Sequence, residues 1–236
     1  TRNWEETRRG TLEDRGPGYE GVVDITSLKH GVGAPIAGYA IAENVRRERL
    51  GLSLDAYRLE IGKLFAPFTK VAAANPHSAA PTERTAQELA ELTERNRLVA
   101  EPYGRLVVAR DQVNQGGAIV IASVAEARRL GVPEERWVHI HGVADCAEPS
   151  MLTRESLEKS PAAVAAISTA LELAGKDWKN LSAIDLYSCF AIPVFNLLDA
   201  FGLDRDDPRG WTLTGGLPFF GGEVDIRLVD RFQHVP

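Results

Sequence analysis

Apolar residues recur at three-to-four-residue spacing over the first half of the chain and gather into short runs over the second. The two patterns predict different structure. Over residues 35–50 (PIAGYAIAENVRRERL), Ile36, Tyr39, Ala40 and the stretch 42–45 mark an apolar side, while Arg46, Arg47, Glu48 and Arg49 crowd the last turns and Gly51 follows as a stop. This is the pattern of an amphipathic helix. A second helix opens at Ser53 as N-cap and carries Leu54, Tyr57, Ile61, Leu64, Phe65, Phe68 and Val71 on one face, with Pro67 expected to kink or split it. Thr85 and Glu88 have the spacing of a capping box and start a short third helix reaching Leu92.

After Pro102 the texture becomes alternating, as an α/β layer requires. Residues 105–109 (RLVVA) and 118–122 (AIVIA) are rich in β-branched side chains and read as strands, joined by a polar segment holding Asn114, Gln115, Gly116 and Gly117. Ser123 and Glu126 then form a second capping box and Gly131 closes that helix. Residues 137–143 read as the next strand, Ser160 with Pro161 opens a helix ending at Gly175, and 182–186 (SAIDL) is a strand leading to Tyr187, Ser188 and Cys189. A helix to Gly202 tolerates Pro193 near its first turn, and 211–214 form a last strand meeting Gly215 and Gly216. From residue 105 the order is β, β, α, β, α, β, α, β.

Composition narrows the function. The net charge of −6 over 236 residues argues against a nucleic-acid partner, whose phosphates are met by Lys and Arg. No apolar run reaches the roughly 18 to 20 residues that span a bilayer, and the charged opening 1–15 is unlike a secretory leader. Two cysteines, Cys146 and Cys189, are too few for a disulfide scaffold, so a reducing, cytoplasmic setting is expected. Residues 1–20, with Gly16, Pro17 and Gly18 and no apolar period, read as a surface extension.

Candidate chemistry is sparse. His139 and His141 alternate along one expected strand with Asp145 and Cys146 behind them, but lack a metal-site spacing, so no metal is assigned and a core-facing His held by a backbone carbonyl is expected. The run 215–222 lacks the spacing and following helix of a dinucleotide fingerprint. Arg46, Arg47 and Arg49 could meet phosphates, although a basic last turn complements the helix dipole and is expected to form a solvated face. Cys189 reads either as a thiol activated at a helix N-terminus or as a small buried apolar residue. Ser188 is the expected N-cap of the helix that follows.

Three stretches in order carry a resemblance: VNQGGAIVIASVAEARRLGV (113–132), SPAAVAAISTALELAGKDWKNLSAIDLYSCFA (160–191) and TLTGGLPFFGG (212–222). They resemble segments of thiolase-like acyl-CoA acyltransferases (acetyl-CoA acetyltransferases), most closely the branch near the thiolase part of sterol carrier protein x. The resemblance extends over roughly residues 30–222, more weakly over 30–104. It implies a partial chain with an α/β fold of thiolase type, a mixed sheet layered with helices, here incomplete and joined to a helical loop domain. The implied divisions are an extended segment 1–34, a loop domain 35–104, an α/β core 105–222 and a divergent tail 223–236.

By the same resemblance Tyr187 takes the position of the loop Asn that helps polarise a thioester oxygen, and Gly222 that of the partnering His. The implied catalytic set is Tyr187, Ser188 and Cys189. Asn114, Gly116, Gly117, Gly215, Gly216, Gly221 and Gly222 would line the acyl-CoA. Half of the polarising pair is missing, which favours retro-aldol or altered acyl-CoA chemistry over ordinary condensation, with a coenzyme A thioester as substrate and no permanently bound cofactor. The implied assemblies are a homodimer or a hetero-oligomer, an OB-fold/zinc-ribbon chain being one partner. Beside the enzyme stand two other readings: a non-catalytic acyl-CoA or lipid-binding module, and a subunit that completes its fold only with another chain.

Overall fold

Periodicity and caps decide where helices form. The computed structural model describes residues 25–110 and 112–222, so the readings of 1–20 and 223–236 lie outside the described residues. A short helix α1 (Ile25–Lys29) precedes α2 (Pro35–Arg49), which starts on Pro35 and ends at Leu50. Ser53 accepts from the Ala56 N–H and opens α3 (Leu54–Ala74). This helix runs through Pro67 without splitting. Pro67 and Lys63 both sit on its exposed side, so the carbonyl that the proline leaves without a donor is on the solvent face. The Thr85 capping box is complete, with Glu88 N–H donating to Thr85 Oγ1 at 3.2 Å and Thr85 N–H to Glu88 Oε2 at 2.7 Å, and starts α4 (Ala86–Ala90).

The sheet is smaller than the sequence pattern suggests. Among the described residues it consists of β1 (Leu98–Ala100) paired antiparallel with β2 (Tyr103–Gly104). The expected strand 105–109 begins as a 3₁₀ turn, Arg105–Val107. Segments 118–122 and 137–143 form no ladder, and Ile119, Val120 and Ile121 are 59%, 89% and 75% exposed. β-Branched composition supplies side chains suited to a pleated surface, but a strand also needs a partner strand, and among the described residues neither segment pairs with one. Segments 182–186 and 211–214 do approach, through one backbone bond from Leu186 N–H to Trp211 O at 3.0 Å. Beside it Asp185 Oδ1 accepts from Thr212 Oγ1 and Leu213 N–H, so a side chain occupies the place of the next ladder bond.

The later helices follow the sequence more closely. α5 (Val124–Arg129) is capped by Ser123, although Glu126 pairs with Arg129 instead of completing the expected box. α6 (Pro161–Ala174) starts on Pro161 and ends at Gly175, φ +62°. Ser160 holds the N-cap position as expected, but its side chain does not make the cap bond: the Ser160 hydroxyl donates to Glu148 Oε1, and that oxygen accepts the Ala162 N–H at 3.2 Å. Residue 142 presses against the same helix, where a Cβ would lie 2.0 Å from Ala170 O, so only glycine fits. α7 (Ala191–Phe201) ends at Gly202, φ +61°.

One buried cluster joins the two halves of the chain: Tyr57, Leu64, Phe65 and Phe68 of α3 meet Tyr103 of β2 and Ile192, Val194 and Phe195 of α7, then Trp211 and Phe219. Each large apolar side chain fully removed from water contributes about 2–3 kcal/mol. A charged residue sits within this cluster. Glu43 of α2 is 0% exposed and accepts hydrogen bonds from Tyr57 and Tyr103 (2.8 Å for the latter), and burial raises its carboxyl to about 7 against those hydrogen bonds and the nearby Arg46.

A folded-state pKa above the unfolded value makes the carboxyl's contribution to stability full below about pH 4, lost as pH rises through 7. Urea unfolding of the parent should therefore weaken between pH 5 and 8, by up to about 3 kcal/mol, relative to Glu43→Gln, which cannot ionise. Parallel pH profiles for the two proteins would contradict this account.

Candidate functional site

The loop 187–190 links an extended segment to α7, and neighbouring elements hold it from both sides. The Phe190 ring sits between those of Tyr39 and Tyr103, with centroids 4.8 and 4.9 Å away. The Cys189 carbonyl accepts the Ala109 N–H at 3.1 Å. The Cys189 thiol is buried and hydrogen-bonded to Tyr187 and Tyr39; burial pushes it up to about 11, while those two hydrogen bonds pull the other way. Near neutral pH it is a protonated thiol, which is a poor nucleophile. Burial likewise raises the Tyr39 hydroxyl, with Cys189 adding to the effect. Tyr187 itself is half-buried against the core.

Ser188 does not cap the helix. The N-cap position of α7 belongs to Phe190, two residues on, so the Ser188 side chain turns inward, where it is fully buried and its Oγ has no hydrogen-bond partner. It points at the glycine run. A Cβ on Gly216 would lie 2.6 Å from Ser188 Oγ and 2.7 Å from the Phe68 ring, and the φ of +74° there also excludes ordinary side chains.

The run 215–222 is tied down along its length. Asn75 Nδ2 donates to Thr214 O, Arg110 N–H to Leu217 O, Arg110 Nε to Pro218 O and Gly222 N–H to Arg110 O. Ala79 and Ala80 N–H donate to Phe220 O and Phe219 O, both at 2.9 Å. The Phe219 ring meets Phe65 edge-on at 5.7 Å. The structure thus brings Ser188 and Gly216 into direct apposition and holds Gly215, Gly221 and Gly222 in the same buried bend.

The polar segment before residue 118 behaves differently. Asn114, Gly116 and Gly117 are exposed, and a Cβ on Gly116 would meet nothing. Gln115 makes the connection instead, its Nε2 donating to Phe220 O at 2.9 Å and His77 O at 3.2 Å. The sequence pattern marks Tyr39 only as part of a helix face and Gln115 only as part of a polar turn, and it does not mark Arg110, so the contribution of all three here comes from the structure.

Two further expectations change. His139 and His141 are exposed rather than core-facing, because segment 137–143 is not covered by a sheet neighbour; among the described residues no three metal-ligating side chains converge. Arg46 is not on a solvated face: it is 7% exposed, forms a fork with Asp199 at 2.9 and 3.0 Å, and lies 4.0 Å over the Phe195 ring. Arg49 also reaches Asp199, at 2.7 Å. A surface groove of about 710 Å³ runs along α2 past Ile41, Asn44, Arg47 and Glu101, and no residue of loop 187–190 lines it.

The unpartnered hydroxyl sets up a direct test. Ser188→Ala should leave the urea midpoint unchanged or raise stability by up to about 1 kcal/mol, since it removes a buried group that gains no bond; a loss above about 2 kcal/mol would mean that the hydroxyl is bonded. In single-cysteine variants at pH 8, Cys189 should react with a thiol reagent about a hundredfold more slowly than the exposed Cys146. Equal rates would mean that the thiol is neither buried nor raised.

Comparison with known proteins returns no matching family model and no matching curated protein. Solved structures do match. A monomeric SCP2-thiolase-like protein, type 1, from Mycobacterium smegmatis superposes with a TM-score of 0.80 at 54% identity, over 84% of this chain and 44% of that one. An Ltp2-ChsH2(DUF35) aldolase gives a TM-score of 0.61 at 16% identity, over 90% of this chain and 58% of that one, which speaks to the fold alone. The chain spans less than half the length of the first of these relatives, and over that span it belongs to the SCP2-thiolase-like proteins.

Proposed function

We propose that this chain forms part of an acyl-CoA-handling protein of thiolase type, in which loop 187–190 and the bend 215–222 flank the thioester and Tyr187 donates a hydrogen bond to its carbonyl oxygen. The observation that supports this reading is the apposition of Ser188 and Gly216, which puts the two stretches in contact. A phenol is a suitable donor to an enolate or alkoxide oxygen, and one such donor is worth about 3–4 kcal/mol when charge develops on that oxygen. With Gly222 at the position where thiolases carry a histidine, a second side-chain donor is absent there. That favours retro-aldol or altered acyl transfer, and the thiol of Cys189 serves as a spacer and a hydrogen-bond partner of Tyr187. The substrate would be a coenzyme A thioester.

A second reading is a binding module or subunit that works with another chain. The exposed run Ile119, Val120 and Ile121 favours it, since unpaired β-branched segments are edges that another backbone can complete. In that case the partner is a second copy or a different chain, and sedimentation of the protein as a monomer at every accessible concentration would count against it.

Acetyl-CoA at about a hundredfold its dissociation constant should stabilise the fold by about 3 kcal/mol, read as a rise in melting temperature. No rise at millimolar ligand overturns the acyl-CoA reading. If a β-hydroxyacyl-CoA is turned over, Tyr187→Phe should lower kcat about 10²–10³-fold with little change in the melting temperature; unchanged turnover would remove Tyr187 from the chemistry.

A further inference from the structure

The N-terminus of α7 needs an acceptor that its own sequence does not provide. The first N–H groups of any helix lack intrahelical partners, and the N-cap residue here, Phe190, has no side chain able to accept. The missing acceptor comes from α2. The Glu43 carboxyl faces the backbone N–H of Ile192, the second residue of α7, which helps to hold its pKa down. The same carboxyl holds the hydroxyls of Tyr57 on α3 and Tyr103 on β2.

Two of these contacts bear on the loop that precedes α7. Tyr103 packs its ring against Phe190 at 4.9 Å, so the bond to Glu43 orients the wall that supports the loop's last residue. Ile192 lies two residues after Phe190, so fixing its N–H fixes where the loop enters the helix. One turn along α2, Arg46 grips Asp199 near the other end of α7 and covers Phe195. α2 therefore fixes α7 at two points, with an acid at the N-terminus where the helix dipole favours negative charge.

The geometry points to Glu43 as the positioning residue of loop 187–190: a cap supplied from another helix that sets the placement of Tyr187, Ser188 and Cys189. Its value to the chemistry rests on the acyl-CoA reading above, whereas its hold on the loop does not. Other ionisable or charged groups facing it are Tyr57, Tyr103 and Arg46. The role differs from ordinary core filling because it depends on an acceptor atom and not on volume.

Cys189 supplies the readout. It is 1% exposed and sits inside the loop, so its modification rate in a Cys146→Ser background reports opening of that loop. Glu43→Leu, which fills the space but accepts nothing, should accelerate labelling about tenfold, with little dependence on urea below the unfolding transition. Glu43→Gln keeps an oxygen for the Ile192 N–H and should stay within about threefold of the parent. Leu64→Ala, a destabilising change elsewhere in the core, should not change the urea-independent rate. Labelling of Glu43→Leu at the parent rate, or of Glu43→Gln as fast as Glu43→Leu, overturns the proposal.

If Glu43→Leu does not fold, amide hydrogen exchange in the parent decides. Protection of the Ile192 N–H comparable to that of Phe195 within the helix supports the cap, and exchange as fast as in an unstructured peptide refutes it. Repeating the melts with acetyl-CoA separates the two claims. A ligand-induced shift that survives in Glu43→Gln and shrinks in Glu43→Leu supports positioning for binding, and an equal shift in both refutes that part. No shift in the parent overturns the acyl-CoA reading, and the labelling result still decides the role of Glu43.

Discussion

A carboxyl group buried among two phenols and a helix terminus is the point on which the architecture turns. Glu43 touches α3 through Tyr57, β2 through Tyr103 and α7 through Ile192, so three elements distant in sequence share one acceptor. Bringing such a group out of water is unfavourable in itself. It is tolerated because both oxygens find donors and because the alternative, leaving the phenols and the amide without a partner, is worse. A purely apolar replacement could fill the same volume, but it would not specify the angle at which α7 meets α2. The Arg46–Asp199 fork beside it extends the same logic to the other end of the helix.

From this arrangement the geometry of the site follows. α7 is held by α2, loop 187–190 is held by α7 and by the rings of Tyr39 and Tyr103, and the glycine bend lies against the loop and Phe68 at Gly216 and is anchored to Phe65 by its own Phe219. The helical half of the chain is thus more than a lid over the second half. It supplies the walls against which the loop is set. Backbone contacts from Ala79, Ala80 and Arg110 then fix the bend. The apposition of Ser188 and Gly216, one residue beyond the half-buried Tyr187, is a consequence of packing reached through the whole core.

What could be read in the sequence and what could not divide along a physical line. α2, α3, α4, α6 and α7 announce themselves because helix signals are local: Ser53 and Thr85 as caps, Pro35 and Pro161 at first positions, Gly175 and Gly202 at ends. The strands do not follow from equally clear apolar runs at 118–122 and 137–143, because pairing is a property of two segments and a run describes one. The convergence of loop and glycine bend was anticipated only through a resemblance, while its detail was not: Gln115 reaches the bend and its neighbour Asn114 does not. Glu43 sat within a stretch marked apolar in pattern, four residues from Tyr39 and three from Arg46. Nothing in residue type distinguishes an acid that faces water from one that faces two tyrosines.

The capping of helices from a distance bears on how the chain reaches this state. α6 draws its cap from Glu148 and α7 from Glu43, so neither helix carries a complete start signal within its own residues. Segments of 14 and 11 residues are marginal as isolated helices in water even with good caps. For α7 the missing acceptor arrives only after the chain has closed a loop of well over a hundred residues, which is a slow event because the closure entropy is spent before any contact rewards it. α3, with its own Ser53 cap and long apolar face, can form early. α7, and the loop it carries, should therefore be among the last parts to become native, so that the site is assembled when the rest of the core is already in place.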